Sequence, residues 1–167
     1  MSSETFVTAI FLITAIIAAG VLVNAVFPSI YMASETFVSS SHEMDDRLRT
    51  DIAIVNTVIN EDDNIAYVWI KNTGVNPIGD SLISRFDIYL GKTGQIRRME
   101  YDAAAGKTPT AGRWNFELYD DNSNGLWDRG ETLEIVANSG SVAEGDRMTF
   151  QIVLTNGVRR NIEFTVI

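Results

Sequence analysis

The chain has 167 residues, a net charge of −9 and no cysteine. This length suits one ordinary domain with an additional segment, and the acid excess argues against a nucleic-acid-binding protein, which needs a basic surface for phosphates. The absence of cysteine excludes disulfides, thiolate metal sites and cysteine nucleophiles, and the single histidine, His42, cannot form a multi-histidine metal centre.

The first fifty residues contain a long segment without charge. No residue from Thr5 to Ser34 is charged, and Phe6–Phe27 supplies 22 mostly apolar residues. A bilayer core needs roughly 20 apolar helical residues, and a core helix of a globular protein is seldom apolar on every side for this length. A cleaved secretory signal would have a positive n-region and a shorter apolar core. The segment therefore predicts a transmembrane or pilin-like α-helix.

A polar stalk is predicted beyond this helix. Pro28 should end or kink the helix, because proline breaks a backbone hydrogen bond and crowds the carbonyl one turn earlier. A thin stripe then recurs at helical spacing, at Ile30, Ser34, Phe37, Ser41, Met44 and Leu48. Such a stripe is expected to pack on a partner. We therefore divide the chain into the hydrophobic helix and stalk, residues 1–49, and a second domain, residues 50–167.

The second domain shows the alternation of β-strands. Phe86, Ile88 and Leu90 fall on one face of a strand, and similar short segments recur between glycine-rich turns. Asn156-Gly157 is a strong hairpin signal, for which both turn positions are expected to have positive φ. Seven or eight short strands with no helix-length apolar stripe predict an all-β, immunoglobulin-like antiparallel sandwich.

One polar loop fits a calcium-binding template. The segment DDNSNGLWDRGE matches D-x-[DN]-x-[DN]-G-x5-E at every specified position, with the ligands at Asp120, Asn122, Asn124, Leu126 (backbone carbonyl), Asp128 and Glu131. A hard cation needs six to eight oxygens, and the glycine allows the loop to turn sharply around it. Three charged ligands favour weak affinity for a structural Ca²⁺, with a dissociation constant of roughly 0.1–1 mM.

Two alternatives for these polar and aromatic residues stay open. The loop could be an ordinary polar hairpin, since Asn, Asp, Ser and Gly are common in turns and its flanks have strand rather than helix character. Trp69, Trp114 and Trp127 could form a sugar-binding surface, although core or interface packing is the commoner role of tryptophan. No catalytic arrangement is evident, and the chain is not expected to be an enzyme.

The plan of an apolar N-terminal helix, a stalk and a small sandwich resembles the archaeal flagellin-like superfamily. Within it, LRTDIAIVN (48–56), AYVWIKNTG (66–74) and the helix AIFLITAIIAAGVL are similar to the archaellum accessory proteins known as FlaG and FlaF, and more to the FlaG type. The resemblance implies a membrane-anchored structural protein with its sandwich outside the cytoplasmic membrane. It would act as a stator or tether between the motor and the cell envelope.

The resemblance also implies partners and alternatives. Self-association, a partner of the FlaF or FlaG type, and contact with the S-layer or other archaellum components are expected. No basic leader precedes the apolar segment, so a leader is either absent or already removed. If it was removed, Glu4 lies near the new N-terminus as in pilin-like subunits, and the chain could instead be an archaellin-like or type IV pilin-like filament subunit. A calcium-dependent glycan binder is a third hypothesis.

Overall fold

A computed structural model describes residues 2–59 and 62–167. The chain forms two compact units, Met1–Met44 and Asp45–Ile167. The first unit contains most of helix α1, which extends from Ser2 to Arg49. Pro28 lies inside this helix, so of the two expected effects, a helix end or a kink, the helix end does not occur. Proline removes one hydrogen bond, whereas the bonds of the long helical segments before and after it remain.

The second unit is a sandwich of short strands, which confirms the predicted helix-plus-sandwich architecture. The elements after α1 are β1 (Ile52–Ile59), β2 (Ile65–Asn72), β3 (Ile78–Gly79), α2 (Asp80–Ile83), β4 (Asp87–Lys92), β5 (Arg97–Arg98), β6 (Glu100–Tyr101), β7 (Arg113–Tyr119), β8 (Leu126–Trp127), β9 (Thr132–Asn138), β10 (Arg147–Val153) and β11 (Arg159–Thr165). Helix α2 is a single turn, too short to leave a stripe of helical period in the sequence.

Two sheets form the layers of the sandwich. One has the strand order β1-β2-β9-β7-β6 and the other β11-β10-β4-β5, and β3 pairs with β8 in a separate two-stranded ribbon. Strand β1 also lies near β11. Among residues 2–59 and 62–167, the strand pairings are antiparallel except that of β6 with β7, which is parallel over Glu100 and Tyr101. The described sandwich is therefore mostly antiparallel, and this parallel pair covers two residues of an edge strand.

The core lies between the two main sheets. Alternate residues of β2, β4 and β10 are buried, such as Val68, Leu90 and Phe150, each fully inaccessible to solvent, and most of their neighbours along these strands are more exposed, as the period of two requires. Strand β9 differs, because all five residues from Leu133 to Ala137 are buried. Apolar burial on this face provides the main driving force for folding of this domain.

The β10–β11 hairpin differs in one detail from the expected turn. Gly157 has a φ of 83°, but Asn156 is not among the described non-glycine residues with positive φ. The Gly157 N–H donates to the Leu154 carbonyl at 2.9 Å, and the Leu154 N–H donates to the Val158 carbonyl at 2.8 Å. This is a three-residue loop closed by a left-handed glycine, so only the second turn position needs positive φ.

Candidate functional site

The two segments that carry the family resemblance meet where α1 enters the sandwich. The N–H groups of Thr73 and Gly74 donate to the Asp51 carbonyl at 3.0 and 2.9 Å, and those of Val75 and Asn76 donate to the Arg49 carbonyl at 2.9 and 3.2 Å. These four backbone bonds fix the chain between α1 and β1 on the turn that follows β2. We call the residues 46–51, 72–76 and 156 the junction.

Gly74 allows the close backbone approach within the junction. A Cβ atom at this position would lie 2.5 Å from the Asp51 nitrogen and 2.6 Å from the Arg49 carbonyl oxygen. Both distances are shorter than van der Waals contact, and both neighbours are backbone atoms that cannot rotate away. The glycine of the Lys-Asn-Thr-Gly segment is therefore required by contact with the end of α1.

Asn72 holds the inner side of the junction. Its side chain is fully buried, and its Nδ2 donates to the carbonyls of Asn76 at 3.0 Å and Trp127 at 2.8 Å. Its Oδ1 accepts from the Gly74 N–H at 3.0 Å. A buried amide with all its groups paired stabilises one geometry, because leaving any of them unpaired costs about 1–3 kcal/mol.

Asp46, in the last turn of α1, is bound from two sides. Its Oδ1 accepts from Asn76 Nδ2 at 2.7 Å and its Oδ2 from Asn156 Nδ2 at 3.2 Å. Asn156 also donates to Thr50 Oγ1 at 2.9 Å, and Thr50 donates in turn to the Asp46 carbonyl. One carboxylate thus joins the end of α1 to two separate loops of the sandwich.

The predicted calcium loop is closed by its own hydrogen bonds. Asp120 accepts from the Gly125 N–H at 2.7 Å, Asn122 Oδ1 from the Asn124 N–H at 3.0 Å, and Asn124 Oδ1 from the Leu126 N–H at 2.8 Å. These contacts wrap the chain at Gly125, where φ is 75°. The structure brings the first part of the template together in one tight turn.

Acidic side chains at the other end of the loop also have partners. Asp128 Oδ2 accepts from the side-chain amides of Asn122 and Asn124 at 2.9 and 2.8 Å. Glu131, which is buried, accepts from the N–H groups of Asp121 and Asp128 at 3.1 and 2.8 Å. A cation would therefore compete with two amide donors for Asp128.

Hydrogen bonds stabilise the charged form of one carboxylate in this loop. Hydrogen bonds from backbone N–H groups, that of Gly125 foremost, lower the pKa of the Asp120 carboxyl below its ordinary value. Within residues 2–59 and 62–167, no three His, Asp or Glu side chains form a group that could hold a metal. Two of the template's ligands are asparagines, which such a group does not include, so calcium binding by the six template residues stays a prediction.

The tryptophans do not share one surface. Trp114 and Trp127 are buried in the core, at 1% and 0% exposure, and Trp127 Nε1 donates to the Glu131 carbonyl at 3.0 Å. Trp69 lies half-buried on β2, with its ring stacked near that of Tyr67 at a centroid distance of 6.2 Å. Core packing thus accounts for two of the three, and a sugar-binding surface made by all three is excluded.

The surface of α1 is the second functional feature. Every residue from Ser3 to Arg49 is exposed, including thirteen large apolar side chains within 6–27, among them Phe11, Ile16 and Leu22. The helix is long and apolar enough to cross a membrane. His42 lies farther along the same helix and is exposed.

A model of the archaeal-type flagellin family matches residues 2–164. The chain belongs to this family. A protein of Archaeoglobus fulgidus described as uncharacterized is 25% identical over 170 residues, which cover 99% of both chains. The chain is therefore an archaellum-related protein.

Three solved structures share the fold. The archaellum periplasmic stator protein FlaG from Sulfolobus acidocaldarius is 20% identical, with a TM-score of 0.53, over 69% of this chain and 99% of that one. The FlaF and FlaG stator complex from the same organism gives 18% identity and 0.53 over 68% and 87%. The archaeal flagellum of Methanospirillum hungatei gives 10% identity and 0.65 over 95% and 91%. These neighbours are structural components of archaella rather than enzymes.

The role of Asp46 in the junction is tested by substituting two adjacent acids, Asp45 and Asp46, and measuring the stability of the full-length protein in detergent. Asp46→Ala removes the acceptor of two amide donors, so the free energy of unfolding should fall by about 1 kcal/mol, the lower range for bonds to an exposed charged group. Amide exchange at residues 47–50 should accelerate. Asp45→Ala removes the same charge, but within the described residues Asp45 forms an ion pair with Arg49 alone, at 3.9 Å, and the substitution should change the stability little. Equal effects of the two substitutions would refute the role of Asp46.

Calcium binding is tested by thermal unfolding with added CaCl₂. At 10 mM Ca²⁺, a site with a dissociation constant of about 1 mM adds about 1.4 kcal/mol to stability. Asp120→Ala and Glu131→Ala should each remove the rise in melting temperature. Asp121→Asn, an acidic loop position that the template does not use, should retain it. A wild-type melting temperature that calcium leaves unchanged would exclude the site.

Proposed function

We propose that this protein is a membrane-anchored structural component of the archaellum, which acts as a stator or tether between the motor and the cell envelope. The observation that carries the proposal is the length of the charge-free part of α1. The 30 residues Thr5–Ser34 extend about 45 Å at 1.5 Å per helical residue. A bilayer with its headgroup regions measures about 40–45 Å, so this segment has the length of one crossing.

The free energy of transferring the exposed apolar side chains out of water supports a lipid environment. Thirteen large apolar side chains between Phe6 and Phe27 are exposed, and each gains about 1.5–3 kcal/mol when removed from water. Their sum, about 20–40 kcal/mol, exceeds the whole stability of a typical domain, about 5–15 kcal/mol. A covering of lipid or of other helices is therefore required.

Composition after Ser34 distinguishes the anchor from the stalk. Between Glu35 and Arg49 there are six charged residues and His42. Such a segment favours water, whereas a helix buried along its whole length in a filament core would bring these charges into a low-dielectric interior at a high cost. The change from an apolar to a charged helix supports a single membrane crossing followed by a solvated stalk.

The junction suits a load-bearing tether. Asp46 on the end of α1 is bound by Asn76 and Asn156, and four backbone bonds hold 49–51 against 73–76. Several short contacts acting in parallel resist displacement better than one flexible linker. The sandwich would lie outside the cytoplasmic membrane, with a partner of the FlaF type, the S-layer and further copies of the chain as its contacts.

A second candidate function is an archaellin-like or pilin-like filament subunit. The observation that favours it is the fold match to the Methanospirillum filament, which includes the helix and covers 95% of this chain. In that case neighbouring helices rather than lipid cover the apolar surface of α1. Both candidate functions require that the apolar surface of α1 is shielded from water, by lipid in a tether and by neighbouring helices in a filament.

Membrane anchoring is tested with a charge placed in the apolar segment. Ile16→Arg should reduce the fraction of the protein that inserts into the membrane of native cells, because an arginine at the centre of a span costs about 2.5–3.5 kcal/mol. Ser39→Arg adds the same charge in the stalk and should leave the protein membrane-bound. A C-terminal tag on the wild-type chain should be removed by protease added to intact cells. A wild-type protein that is soluble without detergent would contradict the anchor.

Sheared filaments separate the two candidate functions. A stator or tether remains with the cell body, so mass spectrometry of purified filaments should detect this chain only in traces relative to the main subunit. Recovery as a major filament protein would instead establish the subunit function. Cell bodies from the same preparation, analysed in parallel, provide the control for expression.

A further inference from the structure

A small polar cavity lies between the β4–β5 turn and the turn that follows β9. Its volume is about 180 Å³, and its walls include Gly91, Lys92, Gln95, Arg97, Ser139 and Ser141. At about 30 Å³ per water molecule it holds roughly six waters, and it is smaller than the roughly 300–1,000 Å³ of pockets for drug-sized ligands. The cavity therefore suits one small chemical group.

Arg97 brings an unpaired positive charge to this cavity. Its guanidinium donates to the backbone carbonyl of Ser139, and it forms no ion pair with any residue in 2–59 or 62–167. A guanidinium has five N–H donors, so the bond to Ser139 orients the group and leaves further donors available.

Lys92 adds a second cation and further donors. Its Nζ lies 2.7 Å from Asp146 Oδ2, and 48% of its side chain is exposed. An ammonium has three donors, and Asp146 occupies one of them. Lys92, Arg97 and Asp146 together leave one positive charge, and Ser141 also lines the cavity. The net positive charge and the remaining N–H donors of the two cations suit an acceptor-rich anion.

Two glycines allow the turns to approach closely enough to form the cavity. A Cβ at Gly91 would lie 2.5 Å from the Gln95 carbonyl oxygen, and one at Gly140 would lie 3.0 Å from an Arg97 nitrogen. The Gln95 N–H donates to the Lys92 carbonyl at 2.7 Å, which closes the turn that presents both cations. The close approach of the two turns is therefore fixed by the backbone, and the side chains of Lys92 and Arg97 complete the walls of the cavity.

We propose that this cavity binds an oxyanion: a carboxylate, phosphate or sulfate group on a small ligand or on a terminal sugar. Arginine recognises such planar or tetrahedral groups through paired N–H bonds, and lysine adds a point charge. The site is separate from the junction and from the 120–131 loop. It does not depend on whether the chain is a tether or a filament subunit.

The test is an NMR titration of the full-length chain in uncharged detergent, at constant ionic strength. Sodium glucuronate, phosphate and sulfate are added in separate series, with acetate as the simple carboxylate. We expect saturable shifts of the N–H signals of residues 91–97 and 139–141. Tighter binding of glucuronate than of acetate indicates an acidic sugar, whereas tighter binding of phosphate or sulfate indicates a tetrahedral anion.

Two matched arginine variants decide whether the cavity is responsible. Arg97→Gln should weaken binding about tenfold, the change expected when a hydrogen bond to a charged group worth about 1.4 kcal/mol is lost. Arg98→Gln removes the same charge from the next residue, which pairs with Asp87 at 2.7 Å, and should retain binding. Shifts that do not saturate by about 50 mM, far above a millimolar dissociation constant, or equal losses in both variants would overturn the proposal. Unchanged signals from β9 and β10 confirm that each variant is folded.

Discussion

The apolar surface of α1 is the constraint on which the rest of this protein depends. Thirteen large apolar side chains within 6–27 are exposed on the helix, and removing each of them from water is favourable, which drives the helix into lipid or against other helices. The charges begin where the apolar segment ends, and the sandwich begins where the helix stops.

Buried polar contacts of the sandwich lie close to the point where the helix reaches it. Asn72 is a fully buried amide beside the carbonyl of Trp127, and the Glu131 carbonyl accepts from both the Asn72 N–H at 3.2 Å and Trp127 Nε1 at 3.0 Å. The acidic loop and the helix junction therefore share one hydrogen-bonded core. A substitution in the acidic loop should therefore change the stability of the junction, and the reverse should also hold. The reason is that the Asn72 amide and the Trp127 indole, which lie between them, have no alternative partners in a dry interior.

Much of the architecture could be predicted from local patterns. An unbroken apolar segment determines a helix of this kind, and the period of two at Phe86, Ile88 and Leu90 gives a strand with one buried face.

The junction could not be predicted, because Asp46 lies 30 residues from Asn76 and 110 from Asn156, and asparagine occurs in turns without such partners. Pro28 does not end the helix, because one missing hydrogen bond is small beside the many that persist. The acidic template identified a turn correctly, but a spacing rule does not reveal that the amides of Asn122 and Asn124 face Asp128.

The place where α1 joins the sandwich also determines where the chain can be cut. A fragment that starts at Thr50, the boundary suggested by the change in hydrophobic period, would lose the Arg49 carbonyl and the Asp46 carboxylate. The N–H groups of Val75 and Asn76 and the amides of Asn76 and Asn156 would then lose acceptors that they have in the intact chain. A soluble fragment for crystallography or binding work should therefore begin at Asp45, so that the final helical turn remains attached as a lid on the end of the sandwich.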